Sequence, residues 1–480
     1  MLEGILTGVS TALTPINLLM VFIGCFAGTF IGMLPGLGPI SAIALMIPIT
    51  YGFDPASGLI LMAGVYYGAI FGGSTSSILI KALAIAAYAS FSGGTIAAVL
   101  LLIAAPALAE VSLAFQSADY FALMVLGLTT GSAFAGPGQV LKALMMTVLG
   151  LMLSTVGTDP SAGIQRYTFG SLDLVDGISF LLLAMATFAL SEALMTVLKG
   201  ERIADKARAA TQGHLGSLRL SRAEVREIVP PIGRSSILGF LVGVLPGAGA
   251  TIASFLAYGL ERSLARGAAR EKFGKGSLRG LAAPETANNA ASSGSFVPLL
   301  TLGIPGSGTT AVMLGALISY GVQPGPRLFI DRPEVFWSVI ISMYIGNVIL
   351  LILNLPLIPY IARLLALPRQ FLVPLILFFS LIGVYLVSFN SVDIHLMVGF
   401  AVLAVLLRLR DFPMAPLILA FVLGDLLEDN LRRALAISDG SPSFLWERPI
   451  TLAIMLLTLA ILAAPLLRLR RRKTTAGEGG

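Results

Sequence analysis

The chain has 480 residues, of which 56% are hydrophobic and 12% charged, with a mean hydropathy of +0.91. Water-soluble domains carry about 25% charged residues, so a soluble globule is excluded and an integral membrane protein is expected. The single cysteine, Cys25, rules out a disulfide framework and a cysteine metal cluster, and the net charge of +6 is concentrated in a few short stretches.

In chain order, apolar runs fall near 17–34, 55–80, 82–105, 120–134, 139–156, 178–198, 232–258, 297–320, 335–362, 371–388, 396–407, 414–427 and 450–467. Most are long enough for helices across a hydrocarbon core of roughly 30 Å. They are continuous rather than alternating and exceed the ~10 residues of a barrel strand. The expected fold is therefore all-α and polytopic, with about 10–13 transmembrane or re-entrant helices and no separate soluble domain. The first run lacks a basic n-region and a small-residue cleavage site, so no cleavable signal peptide is expected.

Eight Lys or Arg lie in 199–234, six in 261–279 and five in 468–473. Short basic loops stay on the cytoplasmic side, which places both loops and the C-terminus inside and the N-terminus outside. Topology accounts for these charges, so nucleic-acid binding is not expected. The expected organisation is a first membrane repeat over 1–198, a basic loop over 199–231, a second repeat with C-terminal spans over 232–467, and a basic tail over 468–480.

Two turns interrupt this pattern. Gly32-Met-Leu-Pro-Gly-Leu-Gly38 in the first half is matched by Gly243-Val-Leu-Pro-Gly-Ala-Gly249, with Pro35 and Pro246 placed 211 residues apart. Pro and Gly cannot sustain a regular helix, so each copy predicts a broken helix in one of two internal repeats. Paired discontinuous helices are the sequence sign of a secondary transporter's binding site: unwound carbonyls suit a cation, and helix N-termini suit an anion. Candidate substrate or cation ligands are Pro35, Gly36, Gly38, Pro246, Gly247, Gly249 and Thr251 at these turns. Gly73, Ser74, Thr75 and Ser76 extend the set in the first half, and Asn288, Asn289, Ser292, Pro305, Gly306, Ser307 and Thr309 in the second. Asn side chains offer amide oxygens to sodium and N–H groups to carboxylate. Glu285 suits a coupling carboxylate or, equally, a salt bridge with Arg279 or a helix cap. Small residues such as Gly28, Gly64 and Gly131 are expected to serve helix packing. Asp173, Asp176, Glu192 and Glu428 are expected at span ends.

No catalytic residues and no cofactor are expected, and no metal beyond a transported sodium. Gly274-Lys275-Gly276 lacks the spacing of a phosphate loop, so ATP-driven transport is not encoded. Gly303-Ile-Pro-Gly-Ser307 looks like a nucleophile turn, but His214 sits in a basic loop and His395 is distant, which makes an intramembrane hydrolase the weakest reading. A channel or scaffold subunit without coupled transport remains the main alternative.

The segments 32–39, 67–77, 243–251 and above all 272–317, with Ala282-Ala-Pro-Glu-Thr-Ala-Asn-Asn-Ala290 and Leu302-Gly-Ile-Pro-Gly306, resemble the large membrane subunit of tripartite tricarboxylate transporters. The resemblance covers most of the chain. It implies a multi-pass protein of the bacterial inner membrane that takes up a small carboxylate with a sodium or proton gradient. It also implies two partners, a small four-helix membrane subunit and a periplasmic solute-binding protein. The chain departs from the family after Ile80, where an Asn-Ile-Pro-Gly turn and an Asp-Gly-Tyr stretch are expected. Instead Lys81 follows directly and about two dozen residues are missing by comparison with the family, so that either Lys81 is a substitute positive group for a carboxylate or the site is defective; altered or impaired transport is expected.

Overall fold

A computed structural model describes residues 2–34, 38–75, 80–133, 139–159, 161–199, 220–246, 249–355 and 369–477. The helices are α1 (Leu2–Ala12), α2 (Pro15–Met33), α3 (Pro39–Thr50), α4 (Pro55–Thr75), α5 (Ile80–Ser112), α6 (Ser117–Ala133) and α7 (Val140–Ser154). A two-residue hairpin, Gly157–Thr158 against Gln165–Arg166, precedes α8 (Phe180–Ala184), which runs through a π-helical turn at Met185–Leu190 into α9 (Ser191–Lys199). Then come α10 (Arg222–Val244), α11 (Gly249–Leu264), α12 (Ala268–Glu271), α13 (Leu278–Gly294), α14 (Phe296–Leu302), α15 (Gly308–Ser319), α16 (Pro326–Asp331) and α17 (Pro333–Asn354). The chain closes with α18 (Arg369–Ser388), α19 (Ser391–Arg408), α20 (Ala415–Ile437), α21 (Phe444–Glu447) and α22 (Pro449–Gly477).

Among the described residues, seven helices are long and apolar enough to cross a membrane: α2, α4, α5, the continuous α8–α9 segment, α10, α17 and α19. Shorter apolar helices, α3, α7 and α15 among them, fill in between. The protein is an all-α polytopic membrane protein. The run expected at 297–320 is two pieces, α14 and α15, because Gly303 ends α14 in the left-handed conformation (φ 67°) and Pro305 and Gly306 follow.

Both broken helices end in the same way. Leu34 (φ −74°, ψ 122°) and Leu245 (φ −75°, ψ 121°) leave the helix in extended geometry, and their N–H groups donate to Ile31 O and Val242 O. Each precedes a proline, whose ring disfavours the helical region for the residue before it. The chain re-enters a helix at Pro39 in the first copy and at Gly249 (φ +68°) in the second.

Close helix packing repeats too. A Cβ on Gly28 or Gly32 would fall 2.3 Å from Val65 O and Ala69 O respectively, and one on Gly72 2.2 Å from Thr29 O, so α2 and α4 meet backbone to backbone. In the second copy Gly239 and Gly243 face Ala287 O and Ala291 O at 2.5 and 2.2 Å, and Gly294 faces Phe240 O at 2.5 Å. The first helices of the two pairs are offset by 211 residues and the second helices by 222. The connection between them is thus eleven residues longer in the second copy, and the six basic residues of 261–279 lie there. In lipid, where apolar contact itself drives little association, such glycine-mediated approach is what holds helices together.

By contacts the chain forms two units, Met1–Glu110 with Ser179–Leu409, and Val111–Ile178 with Arg410–Gly480. The first holds both broken helices. In the second, α7 lies against α20 through Gly150, whose Cβ would fall 2.2 Å from Leu417 O. There the buried Asp119 accepts from Arg448 Nη2 (2.7 Å) and Thr451 Oγ1 (2.6 Å), while Arg166, Glu428, Arg432 and Asp159 form a chain of ion pairs.

Candidate functional site: two broken helices

In the second copy three turns converge. A Cβ on Gly306 would lie 2.9 Å from both Gly243 O and Ser295 Cβ, so the Ile304-Pro305-Gly306 turn rests on the end of α10 and on the α13–α14 junction. Pro246, Pro305 and Gly306 are buried. Ser307 caps α15: its hydroxyl accepts from Thr310 N (3.2 Å), and Thr310 Oγ1 accepts from Ser307 N (2.8 Å). This reciprocal capping box fixes the start of α15 and shows that the Ser307 hydroxyl already has local work in the helix. Thr309, 7% exposed, makes no hydrogen bond among the described residues.

Helix α13 presents different chemistry on its faces. Ala283, Ala287 and Ala291 pack with Val242, Ala253 and Ala257 of α10 and α11. Thr286 donates to Ala89 O of α5 (3.2 Å). The candidate asparagines differ. Buried Asn289 donates through Nδ2 to Glu285 O (3.0 Å), and half-buried Asn288 makes no side-chain hydrogen bond among the described residues. Ser292 donates back to Asn288 O (2.9 Å), the usual local use of a helical serine. Glu285 is half-buried, and Arg279 makes no ion pair with it or any other described residue. Thr251 is exposed on α11, away from this group.

The first copy is described in part. Pro35, Gly36 and Ser76 lie outside the described residues, as does Gly247 of the second turn. Ser74 and Thr75 end α4, and Lys81 lies in the first turn of α5. A Cβ on Gly73 would sit 3.8 Å from Gly32 O, so the ends of α2 and α4 meet. The two copies are joined within the first unit: Tyr66 and Tyr67 of α4 pack on Phe296 at 6.1 and 5.7 Å between ring centres, and α3 packs against α15. The arrangement provides helix N-termini at Gly38, Gly249 and Ser307, whose partial positive charge suits a carboxylate; at Ser307 the capping box already takes the Ser307 and Thr310 N–H groups. Beside them lie last-turn carbonyls that suit a cation.

Sequence inspection missed two ion pairs inside helices. Arg234 of α10 grips Glu261 of α11 with two bonds, Nε–Oε1 at 2.7 Å and Nη2–Oε2 at 2.9 Å, and Glu261 is wholly buried. This fork ties the two arms of the second broken helix. Glu192, expected at a span end, pairs instead with Arg408 of α19, which also donates to Thr187 O in the π-turn (3.0 Å). A π-turn leaves a carbonyl without its regular partner, and Arg408 supplies one. Both pairs join residues far apart or in different helices, so charge spacing gave no signal. The Ser307/Thr310 box was readable as Ser-x-x-Thr before an apolar run. Asp393 and His395 lie in the first turn and a half of α19, where His395 Nδ1 is 2.8 Å from Ser391 O, a local contact.

Comparison with known proteins gives a consistent result. The model of the tripartite tricarboxylate transporter TctA family matches residues 18–82 and 80–419. An Agrobacterium vitis protein described as an uncharacterized 52.8 kDa protein in the TAR-I ttuC' 3'region is 42% identical over 499 residues, covering 98% of both chains. A second from the same organism, described as an uncharacterized protein in the TAR-II ttuC' 3'region, is 44% identical over 236 residues, 49% of this chain and 96% of that one. No solved structure matches.

Proposed function

This chain belongs to the tripartite tricarboxylate transporter TctA family and is a tricarboxylate transporter subunit, and from that premise we propose that it carries out cation-coupled uptake of a small organic carboxylate. The observation that carries the reading is the repeated broken helix. Leu34 and Leu245 end their helices with the same dihedrals, and the same glycine-to-carbonyl contacts brace both turns. Two braced turns of this kind are what a transporter needs to hold an anion and its coupling cation at one depth. Asn288, Asn289 and the turn backbones hold substrate or cation, and Thr309, whose side chain has no partner among the described residues, donates to the carboxylate together with Ser307. A periplasmic binding protein delivers the substrate, a small four-helix subunit completes the complex, and the assembly works in the inner membrane with the C-terminus inside.

The gap after Ile80 bears on this site. The family match comes in two blocks that meet at 80–82, the place where the expected first-repeat turn is absent. The second repeat alone keeps the Ile-Pro-Gly turn, so the two half-sites are unequal and transport is altered or impaired relative to a chain that has both. Uptake into proteoliposomes containing all three components, with imposed sodium or proton gradients, tests the proposal. Gradient-driven accumulation supports it. Gradient-insensitive flux points to a channel, and absent flux to a scaffold.

A further inference from the structure

Between α5, α11 and the start of α13 lies a cavity of about 350 Å³, lined by Ile85, Tyr258, Gly276, Ser277, Leu278 and Leu281. That volume is within the range of small-ligand sites. Its walls are mostly apolar: Tyr258 packs edge-on against Phe273 at 5.4 Å, and Leu278 and Leu281 adjoin a buried cluster of Ile85, Ile228 and Ile232. The stretch of chain that supplies and flanks this lining is strongly cationic. Arg262, Arg266, Arg270, Lys272, Lys275 and Arg279 fall within eighteen residues, opposed by the one acid Glu271. None of the six makes an ion pair among the described residues, and the nearby Glu261 is already taken by Arg234. Arg279 is half-buried between two lining residues, and its Nε is shut off from solvent without a hydrogen-bond partner. The loop turns sharply at Gly274 (φ +78°) and Gly276 (φ +98°), and Ser277 caps α13 by accepting from Gly280 N (3.1 Å).

An apolar hollow whose lining residues are interleaved in sequence with cations that make no ion pair among the described residues, on helices that flank membrane spans, matches a molecule with a phosphate at one end and hydrocarbon at the other. We infer that this cavity binds an anionic phospholipid, its phosphate held by Lys272, Lys275 and Arg279 and part of an acyl chain lying against Tyr258, Leu278 and Leu281. Cationic pockets beside transmembrane helices recognise lipid head groups by this combination of charge and apolar surface. The segment belongs to the connection that is eleven residues longer in the second repeat than in the first.

The test uses the full chain, purified in detergent and stripped of lipid, with its melting temperature followed during titration. Phosphatidylglycerol is expected to raise it by about 3 °C or more at saturation, phosphatidylcholine and inorganic phosphate to leave it unchanged. Lys272→Ala/Lys275→Ala/Arg279→Ala is expected to move the phosphatidylglycerol midpoint at least tenfold. Leu278→Trp, which fills the hollow, is expected to do the same with the charges intact. An equal response to phosphatidylcholine would overturn the site, as would a wild-type midpoint in the triple variant. A full response to inorganic phosphate alone would overturn the lipid and leave an anion site.

Discussion

Glycine at position 243 can be tested against another glycine in the same helix. A Cβ there would lie 2.2 Å from Ala291 O and 2.7 Å from Ala291 Cα, both backbone atoms that cannot turn aside. Ordinary contact is about 3.5 Å, so Gly243→Ala must push α10 and α13 apart by about 1 Å along their tightest seam. Overpacking of this kind costs about 1–3 kcal/mol, and here it also lifts α10 from the turn that Gly306 rests on. Gly233 of α10 has no atom within 4 Å of its would-be Cβ, so Gly233→Ala gains about 0.5–1 kcal/mol of helix propensity without a clash. Melting in detergent and uptake in proteoliposomes are compared for the two variants. Gly243→Ala is expected to melt lower by several degrees and to lose most uptake, with Gly233→Ala equal to or above the parent. The first-repeat equivalent, Gly32→Ala, whose Cβ would meet Ala69 O at 2.3 Å, is expected to behave like Gly243→Ala. Similar losses in Gly233→Ala and Gly243→Ala, or wild-type melting in both Gly32→Ala and Gly243→Ala, would refute the backbone-contact argument.

Four further outcomes are expected. Asn288→Ala and Asn289→Ala weaken substrate or sodium dependence roughly 5- to 150-fold, the effect of leaving a buried partner unbonded at about 1–3 kcal/mol, with membrane insertion unchanged; wild-type dependence in both removes them from the site. Arg408→Met alone lowers stability sharply by stranding Glu192, and Glu192→Leu/Arg408→Met recovers most of the loss, since a mutual apolar replacement leaves no unpaired charge; no recovery in a thermal melt contradicts this. Asp119 lies just outside the expected span: burial pushes its carboxyl up, but the Arg448, Gln116 N–H and Thr451 hydrogen bonds outweigh it and hold it below the usual carboxylate range. A depressed folded value stabilises fully above the unfolded pKa of about 3.9 and is lost as pH falls through the folded one, so melting stays level from pH 7 to 5 and drops below about 4, a drop that Asp119→Asn flattens. Insertion of the family-type turn after Ile80 raises uptake above that of the present chain and of Lys81→Ala; full activity in the present chain, unchanged by either alteration, refutes the two-half-site arrangement.

The spans were legible because hydrocarbon length and hydropathy leave little choice, and the broken helices because Pro35 and Pro246 are each followed by glycines, whereas prolines such as Pro106 and Pro284 without them stay inside helices. Gly28 and Gly64, expected to serve packing, each lie against backbone of the other helix, and the structure adds Gly24, Gly32, Gly68 and Gly72, a four-residue spacing that the sequence analysis did not single out. What stayed hidden needed partners distant in sequence. Nothing near Glu192 signals Arg408, 216 residues on, and no local pattern marks the π-turn that Arg408 caps. The division of 297–320 into α14 and α15 was only half visible, since Pro305 announces a break but not that Gly303 ends the first piece left-handed. Of the candidate ligands, Ser307 uses its hydroxyl oxygen as a cap acceptor and keeps its O–H to donate, whereas Asn288 and Thr309 retain side chains without a described partner.

The seam between α2 and α4 limits how the molecule moves. Glycines recur on both helices every four residues, and all but Gly64 sit against a carbonyl of the neighbouring helix where a methyl would not fit. Sliding one helix past the other by less than a full four-residue step, about 6 Å, drives side chains into backbone. Rotation about either axis does the same, so the pair is keyed like a toothed rail. Any motion of the first unit that preserves this seam carries α2 and α4 together as one beam. The bending must then fall where helical geometry has already ended, at Leu34 and, by the same argument for α10 and α13, at Leu245.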